Sequence, residues 1–199
     1  MSNIQGPWGF RPVRRIDGAD PTYSLNPYQI AYNNGNVIAR GDPVILNSSG
    51  LIDTIAPGTT AIFGIFMGCE YPDPTLQRKT FQNAWRAVSG LASTAIVTCY
   101  VIEDKKVVFE AQMGNSNTTP TGPITQANVG NNINFYAQAT PNSSGISGAY
   151  ADQYTIGTTN TLPFRIIGLS QKVGNDNTSI YNTIEVCLNY DQLGNETGV

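Results

Sequence analysis

Catalysis needs side chains that move protons, attack or ligate, and this chain of 199 residues holds few of them. Histidine is absent. That removes the Ser-His-Asp and Cys-His nucleophile pairs, His-containing zinc sites and the side chain that most often carries protons near neutral pH. Carboxylates approach one another in sequence at Asp17 with Asp20 and at Glu70 with Asp73. Two acids flanking a bond can hydrolyse a glycoside, but both pairs lie in turn-like sequence, where acids cap or solvate. Asn175-Asp176-Asn177 offers oxygens to a cation, yet the D-x-[DN]-x-[DN]-G pattern and its distal Glu are missing, so a β-turn is the better reading. No Walker loop, GxGxxG or GxSxG occurs. The expectation is a chain with no catalytic, cofactor-binding or metal-binding residue.

Cys69, Cys99 and Cys187 are odd in number, far apart and set in apolar, β-like sequence. They read as buried free thiols, made in a reducing cytoplasm, rather than as a disulfide scaffold. The net charge is −3 and charged residues make up 13%, about half the roughly 25% usual in soluble domains. An acidic chain without clustered Lys and Arg is a poor nucleic-acid binder. No apolar run approaches the ~18 residues of a membrane span, and the N-terminus lacks a signal peptide's apolar stretch. Uncharged polarity takes the place of charge, with Asn, Gln, Ser and Thr supplying about 60 residues. Such surfaces bury against a partner without desolvating ions. Five N-x-[ST] triplets, at Asn47, Asn117, Asn142, Asn177 and Asn195, are what chance gives in this composition.

The elements that must present any binding residues begin at the N-terminus. Pro7-Trp8-Gly9-Phe10-Arg11-Pro12-Val13 mixes two large aromatics with two prolines, and Arg11, Arg14 and Arg15 carry positive charge with no acid among them. The prolines favour extended backbone, and aromatics with Arg are the chemistry of interfaces. Residues 1–27 therefore read as an extended N-terminal arm, with Trp8, Phe10, Arg11, Arg14 and Arg15 as its contact residues. On this reading, deleting residues 1–15 leaves a folded domain. The competing reading is an arm folded back on its own domain.

Residues 28–199 read as a single β-rich domain. Tyr28–Tyr32 is a candidate strand, and Asp42–Leu46 with Leu51–Ile55 forms a hairpin across Asn47-Ser48-Ser49-Gly50. Ala61–Met67 is a buried strand. Ala95–Ile102 and Lys106–Met113 read as a hairpin joined by Glu103-Asp104-Lys105, with Val107, Phe109 and Ala111 alternating against Val108, Glu110 and Gln112. One short helix around Phe81–Arg86, or an irregular excursion, is open within Thr75–Ser93. Between Ala111 and Ala151 there is no Asp, Glu, Lys or Arg. This reads as a long uncharged loop system with one strand near Asn132–Ala139. Strands return at Leu162–Lys172 and Ser179–Tyr190. The fold class is all-β, a compact antiparallel sandwich or barrel-like domain with long polar loops.

Pro7–Val13, Asn26-Pro27-Tyr28-Gln29-Ile30 and Gly41-Asp42-Pro43-Val44 together resemble a group of tailed-bacteriophage virion proteins. The similarity continues through Val107-Val108-Phe109-Glu110, Asn128-Val129-Gly130, Leu162–Leu169 and Asn189-Tyr190. The family is that of capsid cement, or decoration, proteins, and its β-rich lambda-like members share the order of strands loosely. The resemblance implies a structural protein on the outer capsid surface of the virion. Its partners would be the major capsid protein and copies of itself, trimer favoured over dimer, with no nucleic acid and no membrane. It implies no enzymatic residue and no cofactor. The long uncharged segment departs from the family pattern, and part of it is expected at subunit or capsid contacts. Two other classes share the β-rich reading: a phage tail-fibre or receptor-binding module that binds carbohydrate, and a polysaccharide-degrading enzyme. The first lacks fibre-like repeats, and the second lacks convergent acids.

Overall fold

The structure, a computed structural model, describes residues 2–19, 25–56, 61–137 and 143–194. Asp20, residues 138–142 and the triplets at Asn142 and Asn195 lie outside the described residues. The chain is all-β. Its first half holds β1 (Arg11–Arg15), β2 (Asn26–Ile30), β3 (Ile38–Ala39), β4 (Pro43–Leu46), β5 (Ile52–Thr54), β6 (Gly64–Asp73), β7 (Arg78–Gln82) and β8 (Ala84–Trp85). Its second half holds β9 (Val97–Ile102), β10 (Val107–Gly114), β11 (Asn132–Tyr136), β12 (Tyr150–Gly157), β13 (Phe164–Leu169) and β14 (Thr183–Leu188).

β10 is the seam of a closed five-strand barrel. Its Val108–Gln112 stretch pairs antiparallel with β14, while Met113 and Gly114 pair in parallel with β12. Antiparallel pairings of β12 with β11, β11 with β13 and β13 with β14 complete the circuit. The predicted alternation along β10 points Phe109, Ala111 and Met113 inward, where they meet Ile133, Phe135, Phe164, Ile166, Ile184 and Val186. The opposite face of β10 is buried as well. Residues 4–6 lie over Gln112, and Ser170 and Lys172 lie over Glu110.

The second sheet runs β2-β9-β6-β4-β5, with β7 beside the far half of β6. A bulge at Phe66/Gly68, with Gly68 at φ +133°, lets Phe66, Cys69 and Tyr71 share one face. They pack there with Val44, Phe63, Trp85, Cys99 and Val101. Ile65 and Met67 of β6 and Ile102 of β9 point the other way, into the barrel-side core. This pair of strands is therefore buried on both faces, and its sequence reads as a nearly unbroken apolar run.

Two expectations about the elements need correction. β9 and β10 form where predicted but do not pair with each other, because β2 and β6 already occupy both edges of β9. The Glu103-Asp104-Lys105 turn instead carries the chain from one sheet to the other. No helix forms around Phe81–Arg86. β7 pairs there with Cys69–Asp73, and β8 pairs with β3, placing Trp85 in the core with its indole N–H on the Asn34 carbonyl at 3.0 Å. The β4–β5 hairpin forms as expected, and β13 and β14 lie within the strands expected at Leu162–Lys172 and Ser179–Tyr190.

Candidate functional site

The N-terminal segment is held by a junction between two glycines. Gly9 adopts φ +77°, and a Cβ there would sit 2.7 Å from the Gly41 carbonyl oxygen and from the Ser147 Cβ. Gly41 is at φ +96° and faces it. Only glycine allows both the left-handed backbone and this close approach. The Phe10 N–H donates to the Gly41 carbonyl at 2.9 Å, and the Gly9 N–H to the Ala149 carbonyl at 3.1 Å. Asp42 anchors the junction from below. Its carboxylate accepts from the Ala39 N–H at 2.7 Å and from the Ser147 hydroxyl, whose oxygen accepts from the Ala149 N–H. Burial raises the Asp42 carboxyl above its ordinary range, with the Ser147 and Ala39 hydrogen bonds opposing. Pro7–Val13 and Gly41–Val44, which stand apart in sequence, are thus one structural unit.

The five candidate contact residues separate into three roles. Phe10 is 1% exposed and stacks on Phe164, with ring centroids 4.3 Å apart and planes 4° apart. It belongs to the protein's own core, because a ring of that size is worth about 1.5–3 kcal/mol when withdrawn from water. Arg15 bridges Asp104 at 2.6 Å and Asp17 at 3.0 Å, ties β1 to the β9–β10 turn, and depresses the Asp17 carboxyl through its hydrogen bonds. Arg14 bonds Glu185 of β14 at 2.6 Å from the exposed face. Trp8 and Arg11 remain at the surface of the unit. Residues 11–15 therefore form an edge strand antiparallel to β10 and not a free arm. Pro12 and the arginines are the residues that guard such an edge against further strand pairing.

Trp8 and Arg11 stand between two concavities. One, of about 280 Å³, is lined by Phe10, Pro12, Met67, Arg40 and Ile146 in addition to these two. The other, of about 450 Å³, lies toward Ile4, Lys172, Val173 and Tyr181. Between them Glu110 is buried and accepts from Ser170 at 2.8 Å and Lys172 at 3.1 Å, with the Arg11 guanidinium at 3.7 Å. One carboxylate thus serves two cations, and Arg40 has no side-chain partner among the described residues. The surface is positive over an apolar floor. Sequence reasoning missed Arg40, Lys172 and Glu110: Lys172 meets Glu110 only through the barrel, and Arg40 comes beside Trp8 and Arg11 only through the glycine junction.

The remaining candidates are structural. Glu70 bonds Lys79, which lowers its pKa, and Asp73 caps the β6–β7 turn through the N–H groups of Thr75 and Leu76. Asp176 accepts from the Thr178 hydroxyl and N–H, a side-chain turn. All three cysteines are buried and free. Among the described residues, no group of three or more His, Cys, Asp or Glu side chains is placed to hold a metal, and no helix is long and apolar enough to cross a membrane. Ile124, Ile133, Phe135 and Ala149 from the uncharged segment are fully or almost fully buried in the protein's own core. Compared with known protein families, curated proteins and solved structures, the chain matches none of them.

Proposed function

We propose that this protein is a structural virion component that binds the outer surface of a tailed-bacteriophage capsid and cements neighbouring major capsid protein subunits. The observation that carries this reading is the Gly9–Gly41 junction. It joins two of the segments that resemble cement proteins into one unit, with Arg11 exposed and Trp8 half-buried. A rigid, preorganised contact loses little entropy on docking. A shell expanding around packaged DNA is loaded outward, and a protein that recognises only the assembled lattice shifts the equilibrium toward the intact shell by mass action. Repetition over the shell makes a modest affinity per copy sufficient, more so when each homo-oligomer, trimer ahead of dimer, grips several subunits at once.

The test adds purified protein to shells lacking it and follows shell rupture on heating, with oligomer mass measured by sedimentation in parallel. Saturable binding that raises the rupture temperature is expected. Shells that neither bind the protein nor gain stability contradict the reading.

A further inference from the structure

We infer that the smaller concavity, between Trp8, Arg11 and Arg40, is the seat for one large apolar side chain of a partner polypeptide flanked by carboxylates. Its volume of about 280 Å³ is enough to seat one large apolar side chain. The floor is apolar, formed by Phe10, Met67 and Pro12. Arg11 and Arg40 stand at its rim. Arg11 reaches only a carboxylate already bonded by Ser170 and Lys172, and Arg40 has no side-chain partner among the described residues. Two incompletely neutralised guanidinium forks beside an apolar pocket match a segment in which acidic residues bracket an aromatic or large aliphatic one.

An independent observation points the same way. The indole N–H of Trp8, which lines this concavity, is shielded from solvent and has no hydrogen-bond acceptor. A shielded donor without an acceptor is costly, and an arriving carboxylate or carbonyl supplies one after a small shift of the ring. A basic partner surface would instead set like charges against Arg11 and Arg40. The source of the segment, an exposed loop of the capsid subunit, rests on the function proposed above; the chemistry of the pocket does not.

Two arms of one experiment keep these apart. In the first, a capped Asp-Phe-Asp peptide is titrated into protein carrying 15N-labelled tryptophan, with Lys-Phe-Lys and Asp-Ala-Asp peptides as controls. The Trp8 indole resonance should move with the acidic aromatic peptide alone, while Trp85, already bonded to Asn34, stays fixed as internal reference. Arg11→Glu and Arg40→Glu, each checked for an unchanged melting temperature, should weaken the peptide by about tenfold or more. In the second arm the same variants are bound to shells, where a comparable loss is expected. Peptide binding without shell binding by wild type removes the capsid as source and keeps the pocket. Equal binding of the Lys-Phe-Lys peptide, or folded charge-reversed variants that bind the acidic peptide like wild type, overturns the inference.

Discussion

Asn182 and Ile124 exchange two hydrogen bonds: the Asn182 side-chain amide donates to the Ile124 carbonyl at 2.8 Å and accepts from the Ile124 N–H at 3.1 Å. Both residues are fully buried. A side-chain amide here stands in for a neighbouring strand and satisfies a backbone that no ladder reaches. The same device recurs four times among the described residues, once where Asn175 clamps the N–H and carbonyl of Thr183. Asn3 clamps the N–H and carbonyl of Asp176, Gln192 clamps those of Leu46, and Gln112 takes the Ile4 carbonyl and the Gly6 N–H. The abundance of Asn and Gln therefore serves the fold from within, holding irregular segments against the barrel without charge.

Replacing Asn182 should be expensive. Asn182→Ala leaves a buried donor and a buried acceptor unpaired, at about 1–3 kcal/mol each. Asn182→Asp should be worse near neutral pH, because a carboxylate repels the Ile124 carbonyl. It should recover partly as pH falls, since a protonated carboxyl again offers one donor and one acceptor. Urea unfolding at two pH values checks this, and a pH-independent difference between the Asp and Ala variants would contradict the clamp.

Phe10 tests whether the N-terminal segment is part of the core. Phe10→Ala should cost about 3–5 kcal/mol of stability, and deletion of residues 1–15 should destabilise the whole domain by uncovering β10. This prediction is the opposite of the expectation that the arm can be removed without unfolding. A truncated protein that melts like the full chain would show the stacking on Phe164 to be inconsequential.

The regular strands were legible from sequence wherever alternation or a turn marked them: the β4–β5 hairpin, β10 with its alternating Phe109 and Ala111, and β13 and β14 as single strands. Their partners were less legible. Nothing local in Glu103-Asp104-Lys105 separates a hairpin from a crossing between sheets, because that choice is made by β2 and β6 filling the edges of β9. Among site residues, Trp8 and Arg11 could be picked out by type, but Phe10 could not be told from them, since an aromatic suits a core and an interface equally. Arg40 and Glu110 carried no signal, as each comes near Arg11 only in three dimensions.

Cys69 and Cys99 face each other across β6 and β9, and burial pushes both thiols up to about 12. Cys187 is raised by the same cause. The thiolate is the reactive form, so none of the three should label with a thiol reagent at neutral pH until the protein unfolds. Fast stoichiometric labelling of native protein would contradict the burial.

Asp42 gives a pH dependence of definite sign. Its carboxyl holds a proton more tightly folded than unfolded, so its contribution to stability is full below pH ~4 and is lost as pH rises through the folded value. Asp42→Asn does not titrate, and its amide can still accept from Ala39 and donate to Ser147. The stability of wild type relative to this variant should therefore fall between acidic and neutral pH. Parallel curves for the two proteins would show that burial does not govern this group.

Gold-labelled antibody against this protein, imaged by electron microscopy on intact virions that carry it, tests the central claim most directly. The account predicts label distributed over the outer face of the head, with the tail and its fibres bare. Label confined to the tail or fibre tips, with unlabelled heads, would contradict it.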